Sequence, residues 1–231
     1  MTVGLHRWRG NTPNHSNTCL GWGSSLDSAN QPKRQSYKPV ILAILIFCGL
    51  VLVFTLVGVM AAPNSAQIGG TRPTDTIPTH LLELAGVGLI LGAGLAVAYG
   101  RDGLPLAVLM PVLTVMLDLD HLPIYLGIAQ TVRPAHSVVF IVTVLAVTAI
   151  TIKSLEVDLV VLSATLAHMG IDTGIFAPFS PLNFDYYQLD PYRVPFLAGA
   201  VLTALAGGLL LRRQRLRTQP VGKELIQTAS F

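Results

Sequence analysis

The stretch "VILAILIFCGLVLVFTLVGVMAA", Val40 to Ala62, carries no charged residue over a length that crosses a bilayer. A hydrocarbon core of roughly 30 Å takes about 20 apolar residues at about 1.5 Å of rise each. The segment is therefore read as a transmembrane helix, and it sets the class of the whole chain. Composition agrees: 52% of the 231 residues are hydrophobic and only 12% are charged, against about 25% charged in a soluble domain. In lipid only helices and closed barrels satisfy every backbone group internally. The apolar runs here are continuous and lack the alternation of a barrel strand. The expected fold is all-α, a polytopic membrane helical bundle.

Working outward from this helix, residues 1–38 are rich in Gly, Ser, Asn and Pro and read as a disordered cytoplasmic tail. Residues 39–62 then form an additional N-terminal transmembrane helix. The small residues of "MAAPNS" admit a cleaved-signal reading, which the long leading tail disfavours. Downstream, "LLELAGVGLILGAGLAVAY", Leu81 to Tyr99, is a second span whose one charge, Glu83, either neighbours a site or snorkels to the interface. A third runs from Leu104 to about Ile128 if it continues through "DLDH". Short apolar runs at Ser137 to Ile152 and Val157 to Ile171, and a longer one at Val194 to Leu211, complete six. Residues 79–211 thus make a membrane-embedded domain, followed by a basic cytoplasmic tail at 212–231.

Orientation follows from the basic residues. With the N-terminal tail inside, all but three of the 15 Lys and Arg fall on the cytoplasmic side, leaving only Arg72, Arg133 and Arg193 outside. Both termini are then cytoplasmic, and the chain is expected as a multi-pass protein of the inner (cytoplasmic) membrane. The net charge of +3 reflects this bias. The run "LRRQRLR" is read as a stop-transfer signal touching anionic lipid, and no nucleic-acid partner is expected. Two cysteines, Cys19 and Cys48, are too few and too separated for a disulfide framework or a thiolate metal site.

This orientation brings one kind of chemistry to one membrane face. His80 opens the second span, Asp118, Asp120 and His121 end the third, His136 opens the fourth, and His168 and Asp172 end the fifth. His168 and Asp172 are i and i+4, and Asp118 and His121 are i and i+3, so each pair can face one ion from a helix. Asp120 points elsewhere if that helix continues and reaches the site if it stops at Leu117. A 15-residue helix rises about 22 Å, less than the hydrocarbon core, so these groups sit below the interface. Ionisable groups at such depth pair with one another or bind a cation. Divalent metal is the economical reading, with zinc, manganese, iron or magnesium compatible with oxygen and imidazole ligands and the imidazoles favouring the first three.

Four segments together, "PTHLLELAG", "LDLDHLP", "RPAHSVVF" and "LAHMGIDTGIFAPFSPL", resemble the LexA-binding, inner-membrane-associated metal-dependent hydrolase family, also called YdjM-like, over roughly residues 79–181. That family is grouped with zinc-dependent phospholipases C and single-strand nucleases. The resemblance implies phosphoester hydrolysis at a zinc centre held by His80, Asp118 or Asp120, His136, His168 and Asp172. If the chain is an enzyme, the metal would acidify a water, Asp120 would orient or deprotonate it, and Arg133, in the loop beside His136, would hold a phosphate oxygen. Where the family often has "HRGxTHS", this chain has "VRPAHS", with Val132 in place of the first histidine and Pro134 in place of the glycine. LexA binding belongs to the family's name and is not carried over to this chain.

The segment "PFSPLNFDYYQLDPYR", Pro178 to Arg193, suits an interfacial lid, with Tyr186 and Tyr187 as headgroup-belt aromatics. A recessed site at a lipid surface favours an amphiphilic substrate such as a phospholipid or another lipid phosphate. Two other classes compete. A cation or proton transporter needs polar residues through both halves of the membrane, and the cytoplasmic halves of the spans read as almost purely apolar. A scaffold with a structural metal site would fill every coordination position with protein ligands.

Overall fold

The structure, a computed structural model, describes residues 37–61, 77–126, 128, 133–172, 175–183, 185 and 187–218. Among these, seven α-helices run in chain order: α1 Lys38–Ala61, α2 Ile77–Tyr99, α3 Leu104–Met116, α4 Leu122–Tyr125, α5 Val138–Ile152, α6 Leu155–Ile171 and α7 Arg193–Thr218. Four helical stretches are long and apolar enough to cross a membrane: Lys38–Met60, Thr79–Tyr99, Leu104–His121 and Asp190–Gln214. The chain is thus an all-helical membrane protein. Its sole strand pairing among the described residues is a two-residue antiparallel contact of Ile175–Phe176 with Tyr187–Gln188. The tail at 1–36, Arg72, Val132, Tyr186 and residues 219–231 lie outside the described residues.

Each long helix buries a stripe and leaves the rest apolar. On α1 the residues Ala43, Phe47 and Val51, four apart, are buried, while Ile41, Leu45, Leu52 and Met60 are exposed. Large aliphatic groups left outside on every flank are what hydrocarbon, rather than water, would cover. The buried stripe of α1 meets α5: Phe140 takes Phe47 and Phe54 edge-to-face, with ring centroids 5.5 and 5.3 Å apart. The N-terminal helix is therefore joined to the rest of the described bundle through one core.

The hairpin of α2 and α3 is closer. A Cβ on Gly92 would stand 2.3 Å from the Ala107 carbonyl oxygen and one on Gly88 2.5 Å from Pro111 Cα. Only glycine lets these backbones touch. The turn between them, a 3-10 segment at Gly100–Asp102, uses Gly100 at φ +59°.

At the centre stands α6, packed against α3, α5 and α7. It is a 17-residue helix with Glu156 and Asp158 in its first turn, and α5 is a 15-residue apolar helix. Both are short, as the sequence predicts. Ser163 Oγ donates to the Ala200 carbonyl at 2.7 Å and ties α6 to α7. At the start of α6 the buried Glu156 carboxylate accepts hydrogen bonds from Ser154 and Gln214. The half of the bundle that the sequence reading makes cytoplasmic is thus less purely apolar than that reading has it. Mid-bundle, the fully buried Leu109, Leu113, Val160, Val161 and Ala164 fill the interior.

Candidate metal centre

The third span changes character where the chemistry begins. Regular α-helix stops at Met116, and Leu117–His121 continues as a 3-10 turn. Its tighter winding, about three residues per turn, changes the angular spacing of successive side chains. Asp118, Asp120 and His121 all enter one site as a result. Helix α4 follows, with Pro123 in its first turn, where a missing N–H costs little.

His136 is positioned from the other side. It ends a 3-10 turn at Pro134–His136, immediately before the α5 N-cap Ser137. Ser137 Oγ accepts from the Phe140 N–H at 3.0 Å and donates to the Pro134 carbonyl at 2.6 Å. One serine therefore caps the helix and pins the turn that carries the histidine. His168 projects from the last turn of α6. Asp172 stands one residue beyond that helix, at its C-cap with ψ 148°, and not within it as the i, i+4 reading assumes. It still reaches the site, because its N–H closes on the His168 carbonyl at 2.9 Å.

All seven sequence-predicted ligands, and Arg133, come together. His80 Nε2 is 3.9 Å from both Asp118 and Asp172. His121 Nδ1 is 3.2 Å from both Asp118 Oδ1 and Asp120 Oδ1. His136 Nδ1 is 2.7 Å from Asp120 Oδ2, and its Nε2 is 2.8 Å from His168 Nε2. His168 Nε2 is 3.6 Å from Asp118 Oδ1. Asp120, His136 and His168 are almost fully enclosed. Glu83, by contrast, is exposed on α2, which fits the interfacial reading.

The second nitrogens of the two central rings decide what the first can do. His168 Nδ1 lies 2.7 Å from the Thr114 carbonyl oxygen. A carbonyl can only accept, so Nδ1 carries the proton and Nε2 presents a lone pair. Thr114 lies in the last turn of α3, where carbonyls outrun their helical donors. His136 Nδ1 donates to the Asp120 carboxylate at 2.7 Å, which in the neutral ring leaves Nε2 as the acceptor facing the site. A metal-ligating histidine typically anchors its other N–H on a carboxylate or a backbone carbonyl.

Two carboxylate oxygens complete the picture. Asp118 Oδ1 and Asp120 Oδ1 are buried and have no properly directed hydrogen bond, although His121 Nδ1 lies 3.2 Å from each. Leaving a buried carboxylate oxygen unsatisfied costs on the order of several kcal/mol. Ligand atoms of Asp118, His136 and His168 form one group within 4.8 Å, and those of Asp118, Asp120 and His121 form another. Around a tetrahedral ion with bonds near 2.0 Å, ligand atoms lie about 3.3 Å apart. The residues present therefore fit a divalent metal ion in their donor types, protonation and spacing.

Arg133 is more deeply engaged than a residue at the rim. Nη1 donates to Asp172 Oδ2 at 2.9 Å, Nη2 lies 2.6 Å from His136 Nε2 and 3.6 Å from Asp118 Oδ1, and Nε is 3.4 Å from Asp120 Oδ2. Burial disfavours the charge, but Asp120, Asp172 and Asp118 outweigh it and hold the guanidinium protonated above its usual range. Burial likewise opposes the Asp172 charge, yet Arg133 keeps that carboxyl well below the usual carboxylate range.

Two contributors had no readable signal. Thr114 acts through its backbone carbonyl, which any residue has. Ser137 is visible only as an N-cap serine. No protein-family model, curated protein or solved structure matches the chain.

Proposed function

We propose that this protein is a six-span enzyme of the inner membrane, with both termini cytoplasmic, that hydrolyses phosphoester bonds in a lipid or other amphiphilic substrate at an extracytoplasmic metal centre. Membership of the YdjM-like hydrolase family is part of the proposal. The observation that carries the metal assignment is the convergence of imidazole and carboxylate donors: ligand atoms of Asp118, His136 and His168 lie within 4.8 Å of one another, as do those of Asp118, Asp120 and His121. Zinc is the favoured ion, with manganese, iron or magnesium as the alternatives to exclude.

His80, Asp118, Asp120, His121, His136, His168 and Asp172 would hold the metal. When bound, it would supply Lewis acidity and an acidified water. The chain's own groups do the rest. Asp120 faces the site with Oδ1 free of a directed hydrogen bond and can orient or take a proton from a water. The enclosed walls exclude bulk solvent and strengthen each charge interaction within.

The substrate class rests on surroundings. The site lies at one end of apolar helices, beside a turn that exposes Phe179 and Leu182. Such a rim would meet acyl chains rather than water. A transport path would have to cross the packed layer of Leu109, Leu113, Val160 and Val161, and this layer favours hydrolysis over transport.

The test is metal analysis of the purified full chain together with the His168→Ala/Asp172→Ala variant, followed by phosphatase and phospholipase assays. Bound divalent metal lost in the variant, with hydrolysis that needs it, is the expected result. Equal metal content in both proteins would overturn the centre. Retained metal with no hydrolysis of any phosphoester would favour the structural-site reading.

A further inference from the structure

A positive charge already sits inside this cluster. Arg133 touches three carboxylates, those of Asp172, Asp120 and Asp118, and the Nε2 atom of His136. The last contact has a sharp consequence. His136 Nδ1 is committed to Asp120 at 2.7 Å, so the ring has one remaining lone pair, on Nε2. That lone pair can accept an N–H from Arg133 or bind a metal ion, and it cannot do both.

We propose that Arg133 is a tethered counter-cation that occupies the metal's place in the metal-free protein and is displaced when a divalent ion binds. The proposal rests on the metal-centre reading above. Three carboxylates gathered this closely, two of them with an oxygen that lacks a directed hydrogen bond, repel each other and are costly to bury. A guanidinium in their midst offsets part of that repulsion. A divalent ion brings twice the charge and bonds directly to the imidazoles, so it takes over that role. Arginine suits the exchange because a few side-chain torsions move its head group while the backbone beside the Pro134–His136 turn stays in place. Once displaced, the guanidinium remains on the adjacent segment with its donors free for anionic oxygens.

Competition of this kind lowers apparent metal affinity and raises the stability of the metal-free state, and both are measurable without catalysis. The experiment titrates zinc into the chelator-stripped full chain, the Arg133→Ala variant and the Arg133→Lys variant, with His168→Ala as the background for adventitious zinc. Zinc binding at least tenfold tighter in Arg133→Ala than in the wild type, with a lower Tm before zinc and a larger rise on its addition, is the expected result. Arg133→Lys keeps a competing cation and stays closer to the wild type. In the wild type, phenylglyoxal labelling of Arg133, read by peptide mass spectrometry, rises as zinc saturates.

Equal or weaker zinc binding in Arg133→Ala would overturn displacement while leaving the metal centre standing. Zinc binding by none of the proteins above the His168→Ala background would overturn both. Should Arg133→Ala fail to fold without metal, the labelling decides, and Arg133 equally protected with and without zinc sinks the proposal.

Discussion

His136 Nε2 and His168 Nε2 face each other at 2.8 Å, while the other nitrogen of each ring is held by an oxygen, the Asp120 carboxylate for one and the Thr114 carbonyl for the other. Each ring is therefore held in orientation by the oxygen on its Nδ1. Preorganisation of this kind spares a binding site the cost of ordering its donors.

The two nitrogens of His168 can be separated by substitution. His168→Asn leaves an amide N–H near the position of Nδ1 and removes the Nε2 lone pair, whereas His168→Ala also strands the buried Thr114 carbonyl. In chelator, Asn is expected to unfold within about 1 kcal/mol of the wild type and Ala about 1 to 3 kcal/mol lower. Both variants are expected to lose zinc. Denaturant unfolding and zinc content measure the two effects, and an Asn variant that binds zinc like the wild type contradicts ligation by Nε2.

Asp120 tests a proposed ligand that also supports the His136 ring. Its Oδ2 takes the His136 Nδ1 proton in a charge-assisted hydrogen bond. Asp120→Asn can still accept there but without charge, and the ring becomes a poorer donor of its Nε2 lone pair. Zinc affinity is expected to fall about 10- to 100-fold, as for other partners of metal-bound histidines, with a fall in turnover where hydrolysis is detected. Competition titration against a calibrated chelator reads the affinity directly. Unchanged affinity would assign Asp120 no part in holding the ring.

How far the sequence discloses this protein depends on which side of the backbone carries the information. Charge-free runs such as Val40 to Ala62 announce their own burial in lipid, so helices at Lys38–Ala61 and Val138–Ile152 appear within two residues of their expected bounds. His80, His121, His136 and His168 were readable because imidazole is rare in such runs and topology gathers these four at one end. The third span was readable only in outline. Whether Asp120 joins the site depends on a switch from α to 3-10 winding at Leu117, and no residue type dictates that. Arg133 reads in sequence as a phosphate contact; its insertion among three carboxylates is a property of the folded cluster. The tether from Thr114 to His168 spans 54 positions and uses a main-chain oxygen, so side-chain patterns could not reveal it.

Helix packing positions His80. It rides on the first turn of α2, which is fixed against α3 where Gly92 meets the Ala107 carbonyl. Gly92→Leu inserts a side chain where even a Cβ has no room and forces the helices apart, at a cost of about 1 to 3 kcal/mol. His80 is expected to withdraw from Asp118 and Asp172, leaving the more enclosed His136 and His168 behind. The Tm should fall, and zinc should bind more weakly without being lost. Gly94→Leu, at a position with open space around it, is the control. Equal effects from both substitutions would refute the close-contact account.

The proposed opening of the site on the extracytoplasmic side rests on the distribution of basic residues and can be checked with two positions on the folded chain. Leu182 is 81% exposed in the turn near the site, hydrogen-bonded through its N–H to Phe179, and Arg212 is exposed near the far end of α7. With Cys19 and Cys48 replaced by serine, Leu182→Cys is expected to react with a membrane-impermeant maleimide on intact cells. Arg212→Cys is expected to react only after permeabilisation. Phosphoester substrates would then approach from outside the cytoplasm, where the abundant soluble nucleotides of the cell interior do not compete. The reverse labelling pattern would invert the topology, turn the metal centre toward the cytoplasm and expose it to that competition.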